Sequence, residues 1–290
     1  MNARMLPDTP APSRRHALLT LRDISKTFGT VKALDGLGVS IAPGEFVTVV
    51  GPSGCGKSTL FNIVAGLEEP DAGGQIEFLG KSCKARDLLG QVSFMPQRDL
   101  LLPWRTVIDN AILAVEMEGA RRSDARRHAF EMLPEFGLTG FESQYPHQLS
   151  GGMRQRAALA RALSLKTDII LMDEPFAALD EQTRMVLGED LSTLLNQTGK
   201  TIVLVTHSLG EAVFLSDRIA VISARPGRVL EVIEVNEPHP RDPQFVTSSK
   251  FSDLRNRLYA LLHDEIRQTL STQAMANKAL KTLGGSPPHG

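Results

Sequence analysis

Eight consecutive residues, Gly51-Pro-Ser-Gly-Cys-Gly-Lys-Ser58, fill every fixed position of the phosphate-binding pattern G-x-x-x-x-G-K-[ST]. A phosphate needs several N–H donors converging on one point, and glycine lets successive N–H groups turn inward. The apolar run Phe46–Val50 precedes the loop and a helix is expected from near Thr59, so a helix N-terminus adds its positive dipole end. Gly51, Pro52, Ser53, Gly54, Cys55, Gly56 and Thr59 are therefore candidates for phosphate contact. Lys57 has the reach for β- and γ-phosphates, and the Ser58 hydroxyl is a candidate Mg²⁺ ligand.

Further along, the apolar run Ile169–Met172 ends in two acids, Asp173 and Glu174. In an open α/β sheet ligands bind at the carboxyl ends of the strands, which is where both acids fall. Asp173 is placed to hold Mg²⁺ through water, while Glu174 points elsewhere and could polarise an attacking water as general base. A solvated strand-end pair is the alternative, and the upstream phosphate loop weighs against it. Leu149-Ser150-Gly151-Gly152-Met153 opens a helix running to about Leu165. Its N–H groups and the Ser150 hydroxyl suit a second anion, or Ser150 is simply a cap.

These residues need a scaffold, and its strands are legible. Residues 18–28 and 38–50 carry short apolar or alternating bursts, and Val92–Met95, Ile169–Met172, Thr201–Thr206 and Ile219–Ile222 read as buried strands. Helical patterns lie between them, so an α/β fold with a mainly parallel sheet is expected. From about 98 to 166 the pattern changes: Val107, Ile108, Ala111, Ile112 and Val115 fall at helical spacing, as do Ala125, Ala129 and Leu133. Gly119, Gly137 and Gly140 punctuate these helices, which marks an all-helical insertion. The expected organisation is a disordered tail at 1–17, a core at 18–236, and a C-terminal piece at 237–290. That last piece holds a Pro-rich linker, an amphipathic helix marked by Phe251, Leu254, Leu258, Leu261 and Leu262, and a flexible end from Gly284.

Composition narrows the class. With 32 Lys+Arg against 33 Asp+Glu, the net charge of −1 argues against a dedicated nucleic-acid binder. Two cysteines, Cys55 and Cys83, exclude a disulfide scaffold and fit a reducing compartment. No stretch approaches the roughly 18–20 apolar residues that cross a bilayer.

Taken in order, the motifs resemble those of the ATPase subunits of ATP-binding cassette (ABC) transporters, over about residues 18–235. The resemblance implies a P-loop NTPase core with an N-terminal antiparallel β part and the helical insertion as a subdomain. It further implies that Gln97 meets Mg²⁺ and senses a membrane partner, that Asp180 of Ala178-Leu-Asp180 contributes to the nucleotide site, and that His207 contacts the γ-phosphate. Phe28 stands where the family usually stacks a Tyr on adenine, and Met153 stands where its signature usually has Gln. Met95–Trp104 and His207–Asp217 resemble importers for nitrate, sulfonate, taurine and related small solutes. The implied protein hydrolyses ATP with Mg²⁺ as a head-to-tail dimer of two copies. It serves membrane permease subunits and, through them, an extracytoplasmic solute-binding protein, from the cytoplasmic face of the inner membrane.

The rival is a soluble ABC-type mechanochemical ATPase, which the short interval between Lys57 and Ser150 and the absence of a heptad run disfavour. Two residues stay open. Trp104 suits either a core position or a groove that receives the permease. Cys55 suits either a reactive thiol at a helix N-terminus or an inert filler.

Overall fold

The computed structural model describes residues 17–177 and 179–283; the side chains of 194–197 and 268–283 are not described. Ten strands form two sheets. β1 (Leu19–Phe28), β2 (Val31–Ile41), β4 (Gln75–Phe78) and β5 (Lys81–Cys83) make an antiparallel sheet in the order β2-β1-β4-β5. The second sheet adds β3 (Phe46–Val50), β6 (Val92–Met95), β7 (Ile169–Asp173), β8 (Thr201–Val205), β9 (Arg218–Ile222) and β10 (Val229–Glu234). Its order is β10-β9-β3-β8-β7-β6, parallel throughout except for the β9–β10 hairpin.

The large sheet separates two apolar cores by the period-two alternation of its strands. On β7, Ile170 and Met172 face one core while Ile169 and Leu171 face the other; on β8, Ile202 and Leu204 oppose Val203 and Val205. The second core is closed by the antiparallel sheet and α1 (Lys57–Val64), through Leu60, Phe61, Ile63 and Val64. The first is closed by the helices of the insertion, α2 (Val107–Ala111), α3 (Leu113–Met117), α4 (Arg122–Met132) and α5 (Gly151–Leu163), and by α7 (Leu209–Leu215). Buried Ala157, Ala158, Ala160 and Ala162 keep α5 thin enough to lie close to the sheet, and the Ser93 hydroxyl donates to the Ala162 carbonyl at 2.7 Å.

Several expectations shift in detail. The apolar stretch 38–50 is the end of β2 and all of β3, divided by a turn at Pro43-Gly44. β2 begins earlier than expected, at Val31; its buried pair Ala33 and Leu34 is consecutive, so no alternation marks the stretch. Strands β4, β5 and β10 were not anticipated either: β4 and β10 bury one residue each, Ile76 and Ile233, and β5 none, too few to form a pattern. Helix α1 starts at Lys57, two residues before Thr59, inside the phosphate loop itself. The tails expected at 1–17 and from Gly284 lie, apart from Ala17, outside the described residues, as does Ala178.

The amphipathic helix after the Pro-rich linker is α8 (Ser249–Leu283), much longer than its apolar marks suggested. Phe251 and Leu258 are buried, and Leu254, Leu261 and Leu262 pack partly buried against the core that holds α7. Phe245 meets Phe251 edge-to-face at 5.4 Å, and Arg241 beneath them donates to the Phe214 and Ser216 carbonyls. The start of α8 is therefore part of the core. Leu258→Ala should lower stability by about 2–5 kcal/mol in urea unfolding, the usual range for a leucine removed from a packed interior. A loosely attached tail would instead give a change within about 0.5 kcal/mol.

Candidate nucleotide site

The phosphate loop follows β3, which is buried along its whole length, and passes directly into α1. Gly56 is what permits the join. Its φ of +106° is open to glycine, and a Cβ there would stand 2.7 Å from Leu34 Cδ2 and 2.8 Å from the Ala33 carbonyl oxygen. The loop can rest on β2 only without a side chain at that point. Lys57 is 6% exposed, and its ammonium donates to the carbonyls of Gly51 at 2.8 Å and Pro52 at 2.9 Å.

A cavity of about 550 Å³ opens over the loop. Phe28, Val31 and Ala33 line it from the antiparallel sheet, Ser53, Gly54 and Gly56 to Thr59 form its floor, and Glu174, His207 and Arg225 close it. Phe28 is 47% exposed, with the Lys26 ammonium 5.3 Å from its ring centre, so the ring is available for stacking. The volume is within the usual range for small-molecule sites.

Glu174 is the most constrained group in the cavity. Its Oε2 accepts from Gln97 Nε2 at 2.8 Å, and its Oε1 lies 2.7 Å from His207 Nε2. Its φ of +49° places it in the left-handed region, where non-glycine residues carry strain of about 1–3 kcal/mol. Beside it, burial and the Glu174 charge push the Asp173 carboxyl above the ordinary carboxylate range, against the pull of Lys57 and His207. The donors here are oxygen: the Ser58 hydroxyl, the Asp173 carboxylate and the Gln97 amide oxygen, whose nitrogen is already engaged. Among the described residues no cluster of three or more His, Cys, Asp or Glu could hold a metal unaided. Such a set fits a hard cation that takes its remaining oxygens from phosphates and water, as Mg²⁺ does.

Five expected site residues lie elsewhere, and Gly51, Pro52, Gln97 and Asp173 adjoin the loop, Glu174 or Lys57 without lining the cavity. Ser150 caps α5, its Oγ accepting from the Met153 N–H at 3.2 Å, and Ser150 and Gly151 are exposed, with Gly152 half-buried. None of the three lines the cavity of its own chain. Asp180 accepts from the Thr183 N–H at 2.9 Å and hydroxyl at 2.7 Å, at the start of α6 (Glu181–Thr198), and it too is outside the cavity. The backbone N–H bond from Thr183 holds its carboxyl below the usual range. Cys55 points into the core: it is 1% exposed, burial pushes its thiol up despite Lys57, and its Sγ fills the space beside Gly51. Of the two readings left open for Cys55, this burial supports the inert filler.

Sequence reasoning missed Val31, Ala33 and Arg225. The first two follow Phe28 across a tight hairpin and could have been inferred from the expected antiparallel β part. Arg225 sits in no motif. Trp104, left open between core and surface, is 71% exposed.

The fold and site define a nucleotide-binding α/β protein built on a strand–phosphate loop–helix unit. The protein-family model described as ABC transporter matches residues 34–177. An uncharacterized ABC transporter ATP-binding protein of Methanocaldococcus jannaschii is 42% identical over 261 residues, covering 89% of this chain and 96% of the relative. The taurine import ATP-binding protein of Rhizobium johnstonii is 41% identical over 239 residues, 81% of this chain and 90% of its own. A solved dimeric ATP-binding cassette, in a post-hydrolysis state bound to ADP and Pi, superposes with a TM-score of 0.66 at 31% identity, covering 76% of this chain and all of that one. The chain belongs to the ABC transporter ATP-binding protein family.

The burial of Cys55 makes a direct prediction. In the folded protein Cys55 should resist iodoacetamide, and it should label only in denaturant, as read by peptide mass spectrometry. Labelling of Cys55 in the native protein, blocked by MgATP, would restore the reactive thiol.

Proposed function

We propose that the chain is the ATP-binding and ATP-hydrolysing subunit of an ABC importer for a small solute of the nitrate, sulfonate or taurine class. The observation that carries this reading is Glu174 at the mouth of the phosphate-loop cavity, with Gln97 on one carboxylate oxygen and His207 on the other. A carboxylate aimed by two neighbours is what a base needs to orient a water for in-line attack on a γ-phosphate. The taurine import relative supports the importer assignment, and so do the segments Met95–Trp104 and His207–Asp217.

In this mechanism Phe28 stacks on the adenine and the backbone N–H groups from Ser53 to Thr59 hold the phosphates. Lys57 leaves the Gly51 and Pro52 carbonyls for the β- and γ-phosphate oxygens. Glu174 takes the proton of the attacking water, and His207 keeps the carboxylate in place and faces the γ-phosphate. Mg²⁺, held by Ser58, Gln97 and Asp173, would neutralise phosphate charge. Bringing a cation next to Asp173 also restores the ionised form that burial and Glu174 oppose.

The second half of each site comes from a second copy. Ser150, Gly151 and Gly152 present N–H groups at the exposed start of a thirteen-residue helix, away from their own cavity, which suits a phosphate held by the partner. The superposed cassette is itself dimeric. Asp180 joins the site only from that interface, through the turn it caps. Membrane permease subunits are the other partners. Leu100 and Trp104 are exposed on the segment after Gln97 and form a surface for them, and an extracytoplasmic solute-binding protein completes the system. Among the described residues no helix is long and apolar enough to cross a membrane. The importer reading, supported by the import ATP-binding relatives, implies a peripheral location on the cytoplasmic face of the inner membrane.

Glu174→Gln should lower hydrolysis by about 10²–10⁴-fold while ATP still binds and the dimer is trapped. Near-normal turnover would sink the base assignment. The two-chain site has its own test. Lys57→Ala and Ser150→Arg should each inactivate the homodimer. In a mixed head-to-tail dimer both defects fall on one site and the other pairs two intact halves. Random exchange makes about half the dimers mixed, so ATP occlusion should recover to about a quarter of the wild-type site count. No recovery would mean that each chain builds its site alone.

A further inference from the structure

We propose that Arg225 is a nucleotide-positioning residue whose placement is set by the C-terminal helix through Glu265. The proposal rests on the ATP-binding reading above and concerns a residue outside all of its motifs.

Arg225 lies in the turn between β9 and β10 and lines the same cavity as Phe28, Ser53 and Lys57. Its Nε donates to the Gly54 carbonyl at 3.0 Å, and one terminal nitrogen lies 3.4 Å from where a Gly54 Cβ would be. The guanidinium therefore rests over the exposed tip of the phosphate loop. Only one of its five N–H donors is spent on that anchor. Among the described residues no carboxylate pairs with Arg225, whereas Arg228, three residues on, is neutralised by Asp35. A fixed, uncompensated guanidinium at the rim of a phosphate cradle has the fork geometry that binds phosphate oxygens in pairs. Lys57 would then hold the triphosphate from inside the loop and Arg225 from outside it.

The turn carrying Arg225 is pinned on three sides. Toward β2, the Gly227 N–H donates to the Ala33 carbonyl at 2.8 Å and the Asp35 N–H donates to the Gly227 carbonyl at 3.1 Å. Toward the phosphate loop, the approach is so close that a Cβ on Gly227 would overlap the Cys55 carbonyl oxygen. Toward the C-terminus, the Ala224 N–H donates to Glu265 Oε2 of α8 at 2.9 Å. Ser223 Oγ ties the turn to itself, donating toward the Ala224 and Pro226 carbonyls. Glu265 thus holds the residue immediately before Arg225, and a shift of α8 would move the guanidinium relative to Gly54. A second tie from α8 to the same hairpin, Arg257 with Glu231 of β10, lies farther from the cavity than the Glu265 contact at Ala224.

The test is MgATP binding, by fluorescent-analogue displacement, and steady-state hydrolysis by the full-length protein. Arg225→Gln should weaken MgATP binding about tenfold, with the loss in kcat/KM falling mainly on KM and with a shallower salt dependence. Arg225→Lys, which keeps the charge without the fork, should recover part of the affinity. Glu265→Ala should weaken binding about threefold in the wild-type background and not at all in the Arg225→Gln background. Arg225 is exposed, and unchanged melting curves will separate these effects from misfolding. Wild-type affinity and salt dependence in Arg225→Gln, while Lys57→Ala loses binding, would overturn this inference alone. An equal loss from Glu265→Ala in both backgrounds would overturn the role of α8. Normal binding by Lys57→Ala would overturn the nucleotide-site reading beneath both.

Discussion

The structure depends on how closely three backbones meet at the end of β3. The phosphate loop must leave a fully buried strand, reverse, and enter α1 while wedged between β2 on one side and the β9–β10 turn on the other. At Gly51 a side chain would stand 2.9 Å from the Ile222 carbonyl, and at Gly56 it would strike Ala33 and Leu34. Glycine in this loop is usually explained by the phosphate it binds. Here the same residues are also required by the protein that surrounds them. The position of β3 makes this possible: it is central, flanked by β8 and β9, and its Val47/Val49 and Phe46/Val50 pairs anchor opposite cores. Any shift of either core is transmitted to the loop.

Around that fixed loop the charged groups oppose one another. Asp173 and Glu174 are adjacent carboxylates at the end of a buried strand, and burial together with mutual repulsion raises Asp173. Glu211, which accepts from the Thr206 hydroxyl, is raised by burial and by Glu174 as well, although Thr206 and Arg184 partly offset this. Adjacent carboxylates thus stand at the strand end beside Lys57, whose charge opposes the rise of Asp173. In the proposed function this arrangement suits a cation that arrives with its polyphosphate. It also explains why Glu174 is gripped at both oxygens: an ungripped carboxylate with a left-handed φ would relax away from the acid beside it.

Legibility in the sequence followed burial. The parallel strands β3, β6, β7, β8 and β9 are apolar on both faces, so composition alone marks them. The helical insertion was legible because Ile108, Ala111 and Ile112, like Ala125 and Ala129, keep a helical period against one core. Strands β4, β5 and β10, and the first half of β2, bury only a few residues, such as Ile76, Ile233 and Leu34, and are placed mainly by pairing, which no local pattern records. The site divides the same way. The phosphate loop and Asp173-Glu174 are contiguous and announce themselves, and Gln97 and His207 came from family order. Arg225 reaches Gly54 across a contact that exists only after β9 and β3 pair. The burial of Cys55 was equally invisible, since an outward or inward thiol satisfies the same eight-residue pattern.

One further set of contacts connects the parts that the proposed function requires to move together. Asp99, two residues after Gln97, is paired with Arg154 at 3.3 Å, and Arg161 donates to the carbonyls of Asp99 and Leu100. Both arginines belong to α5, the helix that Ser150 caps. Buried Asn110 fastens the rest of this segment through the Leu102, Arg105 and Thr106 carbonyls, with the Leu102 N–H returning to its side chain at 2.7 Å. The stretch carrying Trp104 is therefore tied to Glu174 through Gln97, to α5 through Asp99 and Leu100, and to α2 through Asn110. In the importer reading, a push on Trp104 from a membrane partner would displace Gln97 and the signature helix in the same motion. In that same reading the arginine links would carry Glu174 and the α5 N-terminus together. Coupling hydrolysis to transport then needs no separate signal between the two sites.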